Sequence, residues 1–288
     1  MALQTMGDFL YGIALAQGRY SHPLSLAPHH AQVYSQNGED GIIAEIFAWI
    51  GVRDRTFIEI GVENGLQNNT RFLLEQGWRG LWIDGNAAFL AQAREIFTEY
   101  LNSGALTIME ARVTSDNVND LVGGAGDGRL QSVDFLSVDV DQNTSHIWRA
   151  LTHRSRVACI EYNASIPASV AVEVPYETEK DWDFTNWFGA SLKMLEMIAS
   201  AKGMSLVGCE YTGVNAFFVD LPDAVGRFQG PFTAETHWGH PVTRCCSMPG
   251  INPPQARGDG LQGNHRASEW QSTLASSAQP FGSARRRS

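Results

Sequence analysis

Carboxylate and amide side chains follow two neighbouring apolar segments, each with the length of a buried strand. Asp139 and Asp141 come at the end of one segment, and Glu161 and Asn163 come at the end of the next. Because neighbouring parallel strands end at the same edge of a sheet, we expect these groups to meet there. Such groups can take a proton from a substrate hydroxyl, or can bind Mg²⁺, which lowers the pKa of that hydroxyl.

These groups have more than one interpretation at the level of sequence. As a metal site, Asp139, Glu161 and Asn163 supply the oxygen ligands. Without a metal, the base is Asp139, Asp141 or the nearby His146. A purely structural interpretation also stays open, because Asp141 can cap the next helix and Glu161 can pair with an arginine.

A glycine turn follows an earlier apolar strand that starts at Phe57. The strand contains Glu59, the chain then turns through Gly61 and Gly65, and Asp84 ends the next apolar run. Glycines leave room where a ligand must pass, and a carboxylate at the second strand end accepts ribose hydroxyls. The spacing is Gly-x-x-x-Gly and not the Gly-x-Gly-x-x-Gly of dinucleotide sites. The pattern therefore predicts binding of S-adenosylmethionine (SAM). Glu59 would contact a ligand amine or the turn, and Asp139 would lie beside the same site.

The hydrophobic pattern predicts an α/β protein with a doubly wound, mainly parallel, seven-stranded sheet. Strands are expected at 56–60, 80–83, 106–110, 133–140, 157–162, 205–208 and 216–219. Helices are expected at 5–16, 40–50, about 68–76, 87–101, 146–152 and 191–202, with a glycine-rich loop at 123–128. The ligand of such a sheet lies at the carboxyl ends of its strands.

Three regions are predicted along the chain. Residues 1–34 form an N-terminal helix and loop, residues 35–222 form the SAM-binding domain, and residues 223–288 form a lid or linker and a flexible tail. The tail is rich in Ser, Gly, Pro and Gln, which bury too little surface to offset the entropy of ordering. The polar insertion 164–188 carries aromatic residues that either border the substrate pocket or pack in the ordinary way. They are Trp182, Trp187 and Phe188, and the neighbouring Tyr162 is grouped with them.

Charge and composition limit the partners. The 288 residues have a formal net charge of −10, and an acidic surface disfavours nucleic acid, since phosphate contacts need basic residues. No apolar run reaches the roughly 18 residues that a membrane span needs. Four cysteines without a Cys-x-x-Cys spacing indicate reduced thiols, and we expect a cytoplasmic protein with no membrane partner. The expected partner is a small-molecule substrate, and a homodimer is possible.

Several segments resemble the FkbM-like family of SAM-dependent methyltransferases. The most distinctive is Tyr34 to Asp40, with the sequence Tyr-Ser-Gln-Asn-Gly-Glu-Asp. Further similarity lies in residues 57–65, 77–84, 134–143, 159–164 and 189–192. The resemblance implies a Rossmann-like fold and methylation of hydroxyls in natural products and glycans. Within the distinctive segment, Gln36, Asn37 and Glu39 are candidates to contact the cofactor. Gln142 stands where this family pattern has glycine.

The function expected from these features is O-methylation of a natural-product or sugar hydroxyl, with SAM as cofactor and Mg²⁺ as a possible second one. The alternatives are N-methylation of a small amine or amino-acid-derived substrate, and a SAM-fold binding protein without catalysis. A nicotinamide-dependent oxidoreductase is a further rival. Tyr176 and Lys180 have the Tyr-x-x-x-Lys spacing of short-chain dehydrogenases, but no helical apolar period surrounds them, which favours a chance match.

Overall fold

Seven strands form a single sheet in the structure, a computed structural model that describes residues 18–125, 130 and 132–239. The strands are β1 (Thr56–Ile60), β2 (Arg79–Asp84), β3 (Leu106–Glu110), β4 (Ser132–Val138), β5 (Arg154–Glu161), β6 (Met204–Cys209) and β7 (Asn215–Asp220). All seven predicted strands are present, and the bounds of β1 and β3 are the predicted ones. The predicted helix 5–16 lies outside the described residues.

The strand order is β3-β2-β1-β4-β5-β7-β6. Strands β1 to β5 are parallel to one another, whereas β7 runs antiparallel to both β5 and β6. The order reverses at β1, from which the chain proceeds outward to β2 and β3 and then returns to β4 on the other side. This arrangement is the Rossmann-like methyltransferase fold, and the predicted fold class is confirmed.

The helices of the described residues connect these strands. They are α1 (Glu39–Ile50), α2 (Arg71–Glu75), α3 (Ala87–Ile96), α4 (Thr98–Asn102), α5 (Val118–Gly124), α6 (Thr144–Ala150), α7 (Leu192–Ala201), α8 (Leu221–Ala224) and α9 (Ala234–His237). The helix predicted at 87–101 is two helices, because Phe97 turns into the core against Trp82 with ring centroids 4.8 Å apart. Helix α5 was not predicted, since only Val118 and Val122 mark its buried face.

Two apolar clusters cover the two faces of the sheet, as a parallel sheet in a doubly wound fold requires. One contains Ile58 and Ile60 of β1 with Trp148 of α6, and the other contains Phe57 of β1 with Trp78. Alternate residues of one strand therefore enter different clusters. This explains why the strands are apolar throughout instead of alternating with polar residues.

Residues 223–239, predicted as part of a lid or linker, pack against the body of the protein. Ala224, Phe228 and Ala234 are almost completely buried. The start of α9 is held to α7, where the Glu196 carboxylate accepts a hydrogen bond from the Ala234 backbone nitrogen at 2.6 Å. None of these residues lines the cleft described below. No helix of the described residues has the length and apolar character needed to cross a membrane.

Candidate functional site

A cleft of about 1080 Å³ opens at the carboxyl ends of β1, β2, β4 and β5. Most of the predicted site residues line it. These are Gln36, Asn37, Glu39, Glu59, Gly61, Asp84, Asp139, Asp141 and Glu161. Gly65, His146 and Asn163 were predicted for the site but do not line the cleft. The strand ends therefore bring together residues as far apart in the sequence as Glu59 and Glu161.

The lining of the cleft is strongly acidic. Its acids are Glu39, Glu59, Glu63, Asp84, Asp139, Asp141, Glu161 and Asp181, and within the described part of the chain its arginine and lysine residues are Arg112 and Lys180. Arg112 is bound to Asp181 at 3.0 Å, and Lys180 lies 3.4 Å from Glu177. Both basic groups are thus engaged by acids of the insertion. The cleft favours a ligand that carries positive charge.

Three carboxylates form the centre of the site. Asp139, Asp141 and Glu161 each place an oxygen within 4.8 Å of the others. Burial raises the pKa of Asp139 to about 7, and the charge of Asp141 adds to the effect. Burial also raises the pKa of Glu161 well above its usual value, with Asp139 and Asp141 contributing. The cluster would release this repulsion on binding a cation or on holding a proton.

The donor set fits a hard divalent cation. Carboxylate oxygens from adjacent strand ends are ligands that Mg²⁺ accepts, and the cation keeps several waters. The Oε2 atom of Glu161 is buried and has no hydrogen-bond partner among the described residues. The three carboxylates that approach one another are those of Asp139, Asp141 and Glu161. The candidate ligand set therefore contains Asp141 in place of the predicted Asn163.

Asn163, predicted as a metal ligand, is buried and does not line the cleft. Its Nδ2 atom donates to the backbone oxygens of Asn186 and Phe188, at 2.9 and 3.1 Å. Its Oδ1 atom accepts a hydrogen bond from the Ser165 nitrogen at 3.0 Å. The side chain closes the base of the insertion and does not line the cleft.

His146, predicted as a base, faces the insertion and does not line the cleft. Its Nε2 atom lies 2.8 Å from the backbone oxygen of Val174, and its ring packs against Tyr176 with centroids 5.4 Å apart. The Glu173 carboxylate lies 3.9 Å from the same Nε2 atom. Helix α6 directs this side chain to the outer side of residues 173–176, so the imidazole holds the insertion in place.

Glu59 supports the turn after β1 and is almost fully buried. Its carboxylate accepts hydrogen bonds from the backbone nitrogens of Asn69 and Thr70, at 2.9 and 3.1 Å, and from the Thr70 hydroxyl. The Thr70 hydroxyl in turn accepts from Trp82 Nε1 at 2.7 Å. Of the two predicted roles for Glu59, the contact with the turn is therefore the one present. Burial raises the pKa of Glu59 to about 7.

The two glycines of the turn are required by packing. Both have positive φ, +86° at Gly61 and +74° at Gly65. A Cβ atom at Gly61 would lie 1.6 Å from the backbone oxygen of Asp139, so this glycine lets β1 and β4 end close together. A Cβ atom at Gly65 would lie 2.6 Å from the Trp82 ring. Gly65 therefore makes room for the Trp82 ring of the core.

Asp84, at the end of β2, both orders the turn and faces the cleft. One carboxylate oxygen accepts from the Glu63 nitrogen at 2.8 Å, and the other accepts from the Asn86 nitrogen at 2.8 Å. Each oxygen keeps a second lone pair, because a carboxylate offers about four acceptor positions. Asp84 is thus held in a fixed position with acceptor capacity left for ligand hydroxyls.

The segment of residues 34–40 is built around Asp40. Its Oδ2 atom accepts hydrogen bonds from the backbone nitrogens of Val33, Tyr34 and Ser35, between 2.7 and 2.8 Å, and from the Ser35 hydroxyl. Ser35 in return accepts from the Asp40 nitrogen at the start of α1. Gly38, at φ +88°, makes the turn. This order brings Gln36, Asn37 and Glu39 to the cleft.

The insertion forms one wall of the cleft and is attached to the body of the protein at several points. Arg112 donates to the Thr178 oxygen at 2.9 Å, and Asn143 exchanges hydrogen bonds with the backbone of Glu177. Trp182 and Phe184 line the cleft with ring centroids 4.9 Å apart, and Phe184 is 84% exposed. The Tyr176 hydroxyl accepts from the Ser115 nitrogen at 3.2 Å, which gives it a structural role.

Sequence reasoning missed the two asparagines of the cleft that have an unpartnered amide atom, Asn68 and Asn215. Asn68 precedes α2 and Asn215 begins β7, and both are more than nine-tenths buried. Each has one amide atom without a partner among the described residues, Nδ2 in Asn68 and Oδ1 in Asn215. The only sequence signal was a polar residue at the edge of an apolar element, which is too common to select a site.

Comparisons with known proteins add similarity at the level of fold. No family model matches the sequence, and no curated protein matches it either. Among solved structures, the N-terminal domain of EvdMO1 with bound S-adenosylhomocysteine (SAH) is 14% identical, with a TM-score of 0.40, over 65% of this chain and 81% of that one. An O-methyltransferase from Bacillus cereus in complex with SAH is 13% identical, with a TM-score of 0.36, over 57% and 67%.

A SAM-dependent methyltransferase from Aquifex aeolicus is 9% identical, with a TM-score of 0.34, over 61% of this chain and 88% of that one. A Staphylococcus aureus structure described as a caffeoyl-CoA O-methyltransferase is matched over 58% of its length, at 14% identity and a TM-score of 0.33. At these values the assignment of function must rest on the site itself.

Proposed function

We propose that this protein is a SAM-dependent methyltransferase that transfers the methyl group to a hydroxyl oxygen. The observation that carries the proposal is the acidic cleft at the switch point of the β3-β2-β1-β4-β5-β7-β6 sheet. Open α/β sheets bind their ligands at this point, outside the carboxyl ends of the strands. The resemblance of residues 34–40 to the FkbM-like family supports the same conclusion.

The charge of the cleft discriminates between SAM and a dinucleotide. SAM carries a sulfonium and an ammonium group, which acidic side chains stabilise. NAD carries a pyrophosphate, which needs a helix N-terminus, backbone nitrogens or basic side chains. In the described residues, the two basic side chains of the cleft are both engaged by acids. An oxidoreductase that binds NAD is therefore disfavoured.

Asp84 is the proposed acceptor for the ribose hydroxyls, because its position is fixed and part of its acceptor capacity is free. Asn37 and Glu39 also line the cleft and are proposed to contact the amino-acid end of SAM. Glu59 and Gly61 shape the turn between these two regions. SAM supplies the methyl group, and the protein fixes its orientation and excludes water.

Asp139 is the proposed base for the acceptor hydroxyl. Its pKa of about 7 is close to neutral pH, where a general base is most effective. If Mg²⁺ is bound, Asp139, Asp141 and Glu161 are the proposed ligands, and the cation would lower the pKa of the acceptor hydroxyl. In both cases the carboxylates favour an acceptor that must lose a proton. A natural-product or sugar hydroxyl meets this requirement, and Trp182 with Phe184 gives such a molecule a surface on which to pack.

The experiment that tests the proposal is calorimetric titration of the protein with SAH, with NAD titrated in parallel. We expect micromolar binding of SAH and no binding of NAD. Binding of NAD alone would overturn the proposal. Absence of binding for both would leave a protein with this fold but without this cofactor.

The metal is tested in a second titration, with MgCl₂ added to protein treated with EDTA. If the cation binds, Glu161→Gln should abolish the heat of binding, whereas Asn163→Ser should not, because Asn163 does not face the cleft. The acceptor atom is then assigned by mass spectrometry of the methylated product. A product methylated on nitrogen would contradict the assignment to oxygen while leaving the cofactor assignment intact.

A further inference from the structure

Two buried asparagine amides in the cleft are oriented by the protein so that one presents a donor and the other an acceptor. Asn68 is 7% exposed and Asn215 is 3% exposed, and both line the cleft. Their free atoms, Asn68 Nδ2 and Asn215 Oδ1, have no partner among the described residues. A buried polar atom without a partner costs stability, so two in one cleft indicate a ligand.

The orientation of each amide is determined by its second polar atom. Asn68 Oδ1 accepts from the Arg71 nitrogen at 3.1 Å, in the first turn of α2, which leaves Nδ2 as the free donor. Asn215 Nδ2 donates to Glu39 Oε1 at 2.9 Å, which leaves Oδ1 as the free acceptor. The alternative amide orientation would set an acceptor against a carboxylate or a donor against a backbone nitrogen.

We infer that Asn68 and Asn215 recognise the zwitterionic amino-acid end of SAM. Asn68 Nδ2 donates to the carboxylate, and Asn215 Oδ1 accepts from the ammonium group, whose charge Glu39 stabilises. This inference rests on the proposed function. It adds that these two amides discriminate between SAM and adenosine-type ligands that have no amino-acid end. Asn68 lies in the loop before α2, and Asn215 is the first residue of β7.

The chemistry of the pair explains why both residues are amides and not charged groups. A lysine in place of Asn68 would pair with the acids that surround it, and would neutralise the cleft. An aspartate in place of Asn215 would set a second buried carboxylate against Glu39, at a distance where like charges repel. A neutral amide supplies the required donor or acceptor without changing the charge of the cleft.

The test compares two ligands, SAH and 5′-methylthioadenosine, which has no amino-acid end. The variant is Asn68→Asp, which keeps the Oδ1 acceptor for Arg71 and replaces the donor with a second acceptor. We expect its affinity for SAH to fall by about 10- to 100-fold, the usual effect of losing a hydrogen bond to a charged group, while its affinity for 5′-methylthioadenosine changes by less than about twofold. Both are measured by calorimetry on the full chain.

Asn64→Asp is the matched control, because it makes the same change in the same loop at a residue that does not line the cleft. It should alter neither affinity. Asp84→Ala is the opposite control, and should weaken both ligands, since both contain the ribose. Asn215→Ala provides a second test if Asn68→Asp does not fold, and should weaken SAH selectively.

Equal loss of both ligands in Asn68→Asp and in Asn215→Ala, or loss of neither, would overturn the inference while the proposed function stands. If the wild-type protein binds neither ligand, the proposed function fails and the inference fails with it. If the wild-type protein binds 5′-methylthioadenosine as tightly as SAH, only the inference fails, because the amino-acid end then contributes nothing.

Discussion

Buried charges are paired with opposite charges at one end of the sheet and lie next to like charges at the other. At the amino ends of the strands, Arg156 lies between Asp134 and Asp223, at 3.0 and 2.9 Å, and is 7% exposed. Asp134 also accepts from the backbone nitrogens of residues 53–55. At the carboxyl ends, Asp139, Asp141 and Glu161 crowd together, and no salt bridge to them is found among the described residues.

This difference in charge pairing indicates that the amino ends of the strands stabilise the fold and that the carboxyl ends bind the ligand. At the amino ends, each charge has an opposite charge and further hydrogen bonds, so removing one partner leaves a buried charge unpaired. At the carboxyl ends, the repulsion persists until a ligand, a cation or a proton relieves it. We therefore expect substitutions at the amino ends to change stability, and substitutions at the carboxyl ends to change binding and turnover.

The largest effect is expected for Asp139→Asn. Loss of the base should reduce turnover by roughly 10²- to 10⁴-fold, whereas affinity for SAH should change by only a few-fold. Initial rates with an identified acceptor and calorimetry with SAH are the measurements. The thermal midpoint should stay the same or rise, because one buried negative charge is removed. A variant that keeps wild-type turnover would show that the catalytic cluster is wrongly placed.

The second effect tests the amino ends. Arg156→Met should lower the free energy of unfolding by about 3–5 kcal/mol, because Asp134 then stays buried without a counter-charge and Asp223 keeps only Arg53, at 3.5 Å. Urea unfolding followed by circular dichroism measures this. Arg154→Met is the control, since Arg154 is exposed and lies 3.9 Å from Asp220, and it should change stability by less than about 1 kcal/mol. Similar values for the two variants would remove the distinction between the ends.

The third effect is a pH dependence of stability that originates near the carboxyl ends. Burial raises the pKa of Glu59 and of Glu210 to about 7, above the value of about 4.3 in an unfolded chain. The native state therefore binds more protons than the unfolded state between these values, and stability falls as pH rises from about 4.5 to 7. Urea unfolding at several pH values should show a loss of about 1–3 kcal/mol across this interval.

Glu210→Gln should reduce this slope, even if the variant is less stable at every pH because the Gln amide replaces one acceptor oxygen. Glu95→Gln, at an exposed position on α3, should leave the slope unchanged. A stability that rises from pH 4.5 to 7 in the wild-type protein would contradict the assignment of raised pKa values to these carboxyls.

The smallest expected effect is on binding of the methyl acceptor to the aromatic wall of the cleft. Phe184→Ala should raise KM for the acceptor by about two- to tenfold, the contribution of one aromatic contact, with no change in the affinity for SAH. Trp187→Ala is the matched control, because Trp187 is exposed in the same segment but does not line the cleft. Equal effects of the two substitutions would indicate a disturbed insertion and not a lost contact.

The sheet was predictable because its strands are buried on both faces. Strand β1 is apolar apart from Thr56 and Glu59, and the glycine at position 61 marks its end, so its bounds follow from the sequence alone. The same pattern places Asp84, Asp139 and Glu161 at the carboxyl ends of parallel strands. Because these ends lie at one edge of the sheet, the three residues line one cleft. The break at Phe97 was not predictable, because a tertiary contact with Trp82 overrides a continuous helical pattern.

The directions of side chains outside the strands were harder to predict. His146 is near Asp139 and Asp141 in sequence, but the phase of α6 points it to Val174. Asn163 follows β5 as predicted, yet its amide is occupied by the backbone at 186 and 188, which returns to it from the insertion. The position of a residue in the sequence predicts the strand end near which it lies. It does not predict which group its side chain contacts.

The position of β7 has a consequence for how the chain acquires its structure. Strand β7 is the last strand within residues 18–239 that the structure describes, yet it lies between β5 and β6 and pairs with both. During synthesis, β5 is an unpaired edge until residues 215–220 have emerged from the ribosome, and β6 has no strand to join. A shortened chain ending before Asn215 would expose that edge, and we expect it to aggregate during expression.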